Sequence, residues 1–310
     1  MTLLVILLAI VLMQIWAYRN PLHQDQWLFT FAKNTAAALP IRLYPFVHLA
    51  LAFVVALVAS LVIAWVAQIS RFLAFPLVLV ALVYACGRKN FTDALHDYFI
   101  AEKHQDSEAK SNTYQTLLAC SQLASDSGNS STLSNEAAPL VETGETESTL
   151  APQTLPADAN EKVFDELAVR GFERYFTAIF WFVIGGVFLC VLYRVVALLA
   201  EYEAGQHQRG ESDKPVADTT LTQRAQRLMA WPASRLLHLS FLLAGNFRKA
   251  YDDVLESLAS TTAAFITVPK IAREAGDFGE IEADDFIALK SLMKVCLGIW
   301  LALIAIIVIQ

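Results

Sequence analysis

Asp93, His96 and Asp97 share one face of a helical-looking stretch, residues 90–105, and His104 stands two turns beyond His96. Two carboxylates and an imidazole are donors a divalent cation accepts. A polar helix face beside a membrane uses the same residue types, however, and no metal is assigned. Asp277-Phe278-Gly279 repeats three letters of a kinase motif, but no Gly-rich loop, strand lysine or His-Arg-Asp loop accompanies it. A phosphate-binding Gly-rich loop, a Gly-x-Ser-x-Gly elbow and a His-Glu-x-x-His pair are all missing from the sequence. Asn129-Ser130-Ser131 has the form of a glycosylation sequon in a low-complexity stretch, where coincidence is the plain reading. Neither a catalytic residue nor a cofactor is expected, and the chain reads as non-enzymatic.

The arginines carry more. Arg174 and Arg194 close the two ends of an uncharged run, residues 175–193. Arg194 suits a guanidinium snorkelling to the membrane surface, or one facing the bundle toward a ligand or partner. Arg235 and His238 interrupt an apolar segment, residues 232–244, that is too short to cross a bilayer alone. A segment at the interface or dipping into the bundle accommodates both. Arg174, Arg194, Trp231, Arg235 and His238 are therefore the candidate ligand- or partner-binding residues, with guanidiniums suited to anions and Trp181 and Trp231 as anchors. Phe180, Trp181, Gly185 and Gly186 are candidate helix-packing residues, because two missing Cβ atoms let another helix approach where lipid gives no hydrophobic reason to associate.

Apolar residues make up 56% of the 310-residue chain, and the mean hydropathy is +0.46. That excludes an ordinary soluble domain. The nineteen residues 175–193 would span roughly 28 Å as a helix, the thickness of a bilayer core. Further uncharged runs place spans near residues 3–18, 46–69 and 72–87, and a last one in 292–310. The expected fold is all-α: a polytopic transmembrane bundle of four to five spans, with amphipathic interfacial helices and a disordered acidic loop.

Residues 1–105 hold the N-terminal membrane helices and an amphipathic helix. The run at the N-terminus lacks a basic start and a cleavage site and is expected to be retained. Residues 106–160 form an acidic low-complexity linker with no Lys or Arg beyond position 110. Residues 161–200 hold an amphipathic helix, with Glu166 and Arg170 at i,i+4 spacing, running into the central span. Residues 201–291 hold three helices, 221–231, 232–244 and 246–260, with Arg248–Asp252 and Lys249–Asp253 pairs on the third. The net charge of -7 gives no reason to expect nucleic acid. Counting Lys and Arg near the spans favours the side holding Arg19, Lys33, Arg42, Arg88, Lys89, Lys162, Arg170 and Arg174 as cytoplasmic, although Arg209, Lys214, Lys290 and Lys294 lie on the other side. The four cysteines have no paired spacing and read as small core residues.

Residues 174–186 (RYFTAIFWFVIGG), Tyr193-Arg194 and residues 231–236 (WPASRL) resemble the AmpE family of inner-membrane proteins, which is similar in turn to the CobD/CbiB cobalamin-synthesis proteins. The resemblance implies a multi-pass protein of the bacterial inner membrane that senses or modulates the response to cell-wall stress and β-lactams. Its implied partners are the lipid bilayer and an unidentified protein or small cell-wall-derived ligand. In the synthase branch an Asp-Gly pair stands where this chain has Arg174-Tyr175, and a proline where it has Ile179. A guanidinium in place of a carboxylate reverses the charge offered to a metal-nucleotide or amine. The regulator is thus the leading expectation. A CobD/CbiB-type amide-forming membrane enzyme is the alternative. Transport of a cell-wall fragment is disfavoured by the few charges within the spans.

Overall fold

An apolar run out of water can satisfy its backbone N–H and C=O groups only within itself, so runs of this kind close into helices. The computed structural model describes residues 2–15, 26–38, 44–86, 100, 104, 159–208, 221–259, 264–279, 281 and 283–309, and these are helices and short turns, with no strand among them. Among the described residues, four helices precede the linker: α1 (Thr2–Ile15), α2 (Gln26–Ala38), α3 (Tyr44–Ile69) and α4 (Arg71–Cys86). After it come α5 (Ala159–Gly171), a π-helical turn (Phe172–Thr177) and α6 (Ala178–Gln208). The chain ends with α7 (Leu221–Ala244), α8 (Phe247–Ala259), α9 (Ala264–Gly276) and α10 (Ala283–Ile309). Most of the expected amphipathic helix at 90–105, the linker, and the Asp93, His96, Asp97 and Asn129 features lie outside the described residues.

Among the described residues, three helical stretches are long and apolar enough to cross a membrane: Phe46–Ile69, Asn160–Glu203 and Asp284–Ile307. The expected four to five spans also counted α1 and α4, which are helices of 14 and 16 residues. The middle stretch is not straight. Gly185 (φ -130°, ψ 18°) and Gly186 (φ 62°, ψ -147°) leave helical geometry inside α6. The thiol of Cys190 donates to the carbonyl oxygen of Ala178 at 3.4 Å, although 12 residues of straight helix would hold them ~18 Å apart. Arg170 Nη1 likewise meets Glu201 Oε1 at 3.4 Å across 31 residues, or ~46 Å of straight helix. Both pairs are nearly symmetric about positions 185 and 186. The chain therefore doubles back at the two glycines, and residues 175–193 form the tip of a helical hairpin instead of one crossing helix.

This also revises the role of the glycine pair. A Cβ at Gly186 would have open space around it, and one at Gly185 would collide with Leu189 of the same hairpin. Gly186 is needed for its backbone: φ near +60° with ψ near -150° is a region that essentially glycine alone occupies. The pair makes the reversal.

Two apolar cores meet along the hairpin. One gathers α1, α2, the buried faces of α3 and α4, and residues 178–202, with Ile6, Leu28, Leu82 and Leu199 among its fully buried members. The other gathers α5, the π turn and α7–α10 around Phe164, Phe172, Phe176, Phe241 and Phe286. In its most apolar window 56% of the hairpin is buried inside the protein, against 11% for α3 and 17% for α10. The hairpin is sheltered by its neighbours, while α3 and α10 turn bare apolar side chains outward.

α7 is one helix through Pro232, where two helices were expected. The chain turns at Gly245, where a Cβ would come within 2.4 Å of the Ala275 carbonyl oxygen. Asn246 N–H donates to that same oxygen at 2.7 Å. α9 is a helix that the sequence pattern does not announce. Its end holds the Asp277-Phe278-Gly279 triplet in a turn, with Asp277 at φ 58° and Phe278 edge-on to Phe164. The expected Lys249–Asp253 pair within α8 is replaced by pairs to its neighbours: Lys249 bonds Asp277, and Asp253 meets Lys270 at 3.0 Å. That carboxylate holds the Lys270 ammonium above the ordinary lysine range.

Candidate functional site

The open end of the hairpin collects charge. Arg170 on α5 reaches Glu166 at 2.5 Å, Glu173 at 3.6 Å and Glu201 at 3.4 Å. Gln226 on α7 donates to Glu173 at 2.9 Å. Glu166 and Arg170 pair as their spacing predicts, but Glu201 lies 31 positions from Arg170 and Gln226 lies 53 from Glu173, and both contacts needed the fold.

The π turn carries Arg174 beside the first arm. Widening a helix by one residue re-aims the side chains that follow, and such turns recur at functional sites. Thr177 Oγ1 donates back to the Phe172 carbonyl at 3.5 Å, and the Arg174 guanidinium lies 5.3 Å from the centroid of the Tyr175 ring. Arg194 sits on the second arm, buried. The hairpin thus brings Arg174 and Arg194 to the same end of the bundle, where a straight span would have held them a bilayer apart.

A second cluster went unnoticed in the sequence. The Nδ1–H of His48 donates to Glu203 Oε1 at 2.8 Å, and the Thr222 hydroxyl donates to the same oxygen at 2.9 Å. All three residues are buried, and Glu203 Oε2 has no hydrogen-bond partner among the described residues. The trio ties the start of α3, the end of α6 and the start of α7 together. His48 and Glu203 are 155 positions apart, so no spacing rule could pair them.

Arg235, His238 and Trp231 lie together on α7, away from this layer. The Arg235 guanidinium stacks 5.1 Å over the Trp231 ring. Ser257 on α8 donates to the Val254 carbonyl at 2.8 Å, so at 3.0 Å its oxygen accepts from His238 and the imidazole proton sits on Nδ1. His238 Nε2 is buried without a hydrogen-bond partner among the described residues. Trp181 donates to the Met229 carbonyl at 3.0 Å and packs edge-on against Phe180, which locks the first arm to α7. The five candidate binding residues therefore divide into two places, Arg174 with Arg194 and Trp231 with Arg235 and His238. Among the described residues no three His, Cys, Asp or Glu side chains are grouped to hold a metal ion.

Buried polar contacts between helices, outward apolar side chains and a hairpin whose two arms return to one end of the bundle mark the class: an all-helical protein suited to a lipid bilayer. No family model matches the chain, and neither do the curated proteins nor the solved structures.

Proposed function

We propose that this protein is a regulator in the bacterial inner membrane, modulating the response to cell-wall stress or β-lactams as its resemblance to the AmpE family implies, with the hairpin as its sensing element. α3, α4 and the apolar half of α10 cross the bilayer in this reading, and the hairpin is re-entrant. Irregular backbone at membrane depth is tolerated where protein covers it, and the hairpin is the best covered of the three apolar stretches. The observation that carries the proposal is the return of the second arm beside the first, which puts Arg174 and Arg194 at the same end of the bundle as the Arg170–Glu173–Glu201 layer. Guanidiniums gathered at the mouth of a sheltered hairpin suit an anionic ligand or an acidic partner segment.

In this reading the geometry also favours one orientation. The ends marked by His48, Arg170, Glu203, Thr222 and Phe286 gather on one side of the bundle, through contacts to one another, to the hairpin or to the helix leading into it. Basic residues formerly counted on opposite sides of a central span then share one face, which the positive-inside rule makes cytoplasmic.

Deleting the protein, and separately replacing Arg174 and Arg194 with Gln, tests this by β-lactamase induction. Loss of induction with the variants still inserted supports the reading. Unchanged induction in the deletion strain overturns it. The His48–Glu203–Thr222 cluster favours a second reading, a membrane enzyme of the CobD/CbiB type, since a buried imidazole–carboxylate pair is able to move a proton. Nucleotide binding by the detergent-purified protein, lost in Glu203→Gln, would favour the enzyme over the regulator.

A further inference from the structure

α7 is turned inside out for a helix in water. From residue 228 to its end every exposed side chain is apolar: Leu228, Trp231, Leu236, Leu239 and Leu243, with Leu228 75% and Leu243 73% exposed. Its polar side chains point inward over the same stretch, with Arg235 at 6% and His238 at 0% exposure and Ser234 and Ser240 also buried. A surface helix of a soluble protein shows the opposite distribution. α8 continues the pattern past the Gly245 turn, where Phe247, Tyr251, Leu255 and Leu258 recur at helical spacing on an exposed face beside the buried Ala250, Val254 and Ser257. Its charged arc lies on the other side, where Lys249 and Asp253 are engaged by Asp277 and Lys270.

We propose that the α7–α8 hairpin is immersed in the lipid boundary of the bilayer, with phospholipid covering the exposed stripes of both helices. Continuity with the membrane-crossing part of α10 decides for lipid over a second copy. Trp300 lies in the apolar half of α10 and donates to Ser240 at 2.9 Å, so the middle of α7 stands at the level of that span. Val295, Leu303, Ile306 and Ile307 extend the apolar exterior along α10. Trp231 and Tyr251, exposed on the same two helices, are the residue types that settle at the headgroup level. Turning Arg235 onto Trp231 and His238 onto Ser257 keeps both off the lipid face.

The inference rests on the bilayer placement of α10, and the test separates the two. Benzoylphenylalanine is introduced at Leu239, Leu243, Leu303 or Glu256 of the full chain, reconstituted in phosphatidylethanolamine–phosphatidylglycerol vesicles and irradiated. Phospholipid adducts at 239 and 243, in yields near those at 303 and well above those at 256, are expected. Adducts at 303 with yields at 239 and 243 no higher than at 256 overturn the inference alone, and absence at 303 overturns the membrane reading itself. Cross-linked dimers from 239 or 243 overturn it in favour of a second copy. As an independent measure, Leu243→Cys should react with a water-soluble maleimide at least about tenfold more slowly than Glu256→Cys, after subtraction of labelling in the parent chain. Equal rates overturn the proposal.

Discussion

At the scale of single residues, Gly186 carries the reversal that sets everything else. Its φ of 62° with ψ of -147° penalises any side chain, although the space around it is open. Gly186→Ala should therefore lose ~1–3 kcal/mol through backbone strain alone, seen as a lower thermal midpoint in detergent. Gly298→Ala is the matched control: it is helical, has equal room, and should leave the midpoint unchanged or slightly raised. Glu203 is the second residue to test, because its Oε1 accepts from both His48 and Thr222 in a buried setting. Glu203→Ala strands both of those hydrogen bonds at about 1–3 kcal/mol for each donor left unsatisfied. Combining it with Thr222→Val should be sub-additive, since the two changes remove one shared bond. Additive losses would show that the trio is not a coupled unit.

At the scale of elements, the helical hairpin makes the sharpest prediction. Cysteines introduced at Lys162 and Gln208, one before and one after the hairpin, should be labelled from the same side of the membrane by an impermeant maleimide. Labelling from opposite sides would restore a single crossing helix. The pairs anchoring α8 to α9 are a weaker matter. Lys270 is 59% exposed beside Asp253, and an exposed pair contributes ~0–1 kcal/mol. Lys270→Met should hardly move the thermal midpoint, whereas Val254→Ala, which opens a cavity beneath α8, should lower it by ~1 kcal/mol or more.

At the scale of the whole molecule, two cores share one hairpin, and polar contacts concentrate at a single end. Arg71, at the turn between α3 and α4, is the described basic residue farthest from that end along its helices. Reporter fusions after Glu211 and Gly276 should therefore agree with each other and report the cytoplasm, while a reporter inserted at Ser70 should report the opposite side. Disagreement between the first two would mean that the chain crosses the bilayer between α6 and the end of α9.

Apolar runs without charge dictate helices, because no other structure satisfies the backbone in lipid. The class and the approximate places of α1, α3, α4 and α10 were therefore legible from residue types alone, as were the Glu166–Arg170 pair and the stop at Gly245. Helical periodicity is a property of neighbours, and it says nothing about partners 31 or 155 positions away. Residues 175–193 met every requirement of length and hydropathy for a crossing helix, yet the pair at its centre consists of the residues best able to reverse a chain. Which role Gly185 and Gly186 took depended on whether α3, α4 and α7 would cover the arms of a hairpin. Only the tertiary structure supplied those neighbours, and with them the placing of Arg174 and Arg194 at one end of the bundle and the burial of Glu203 against His48.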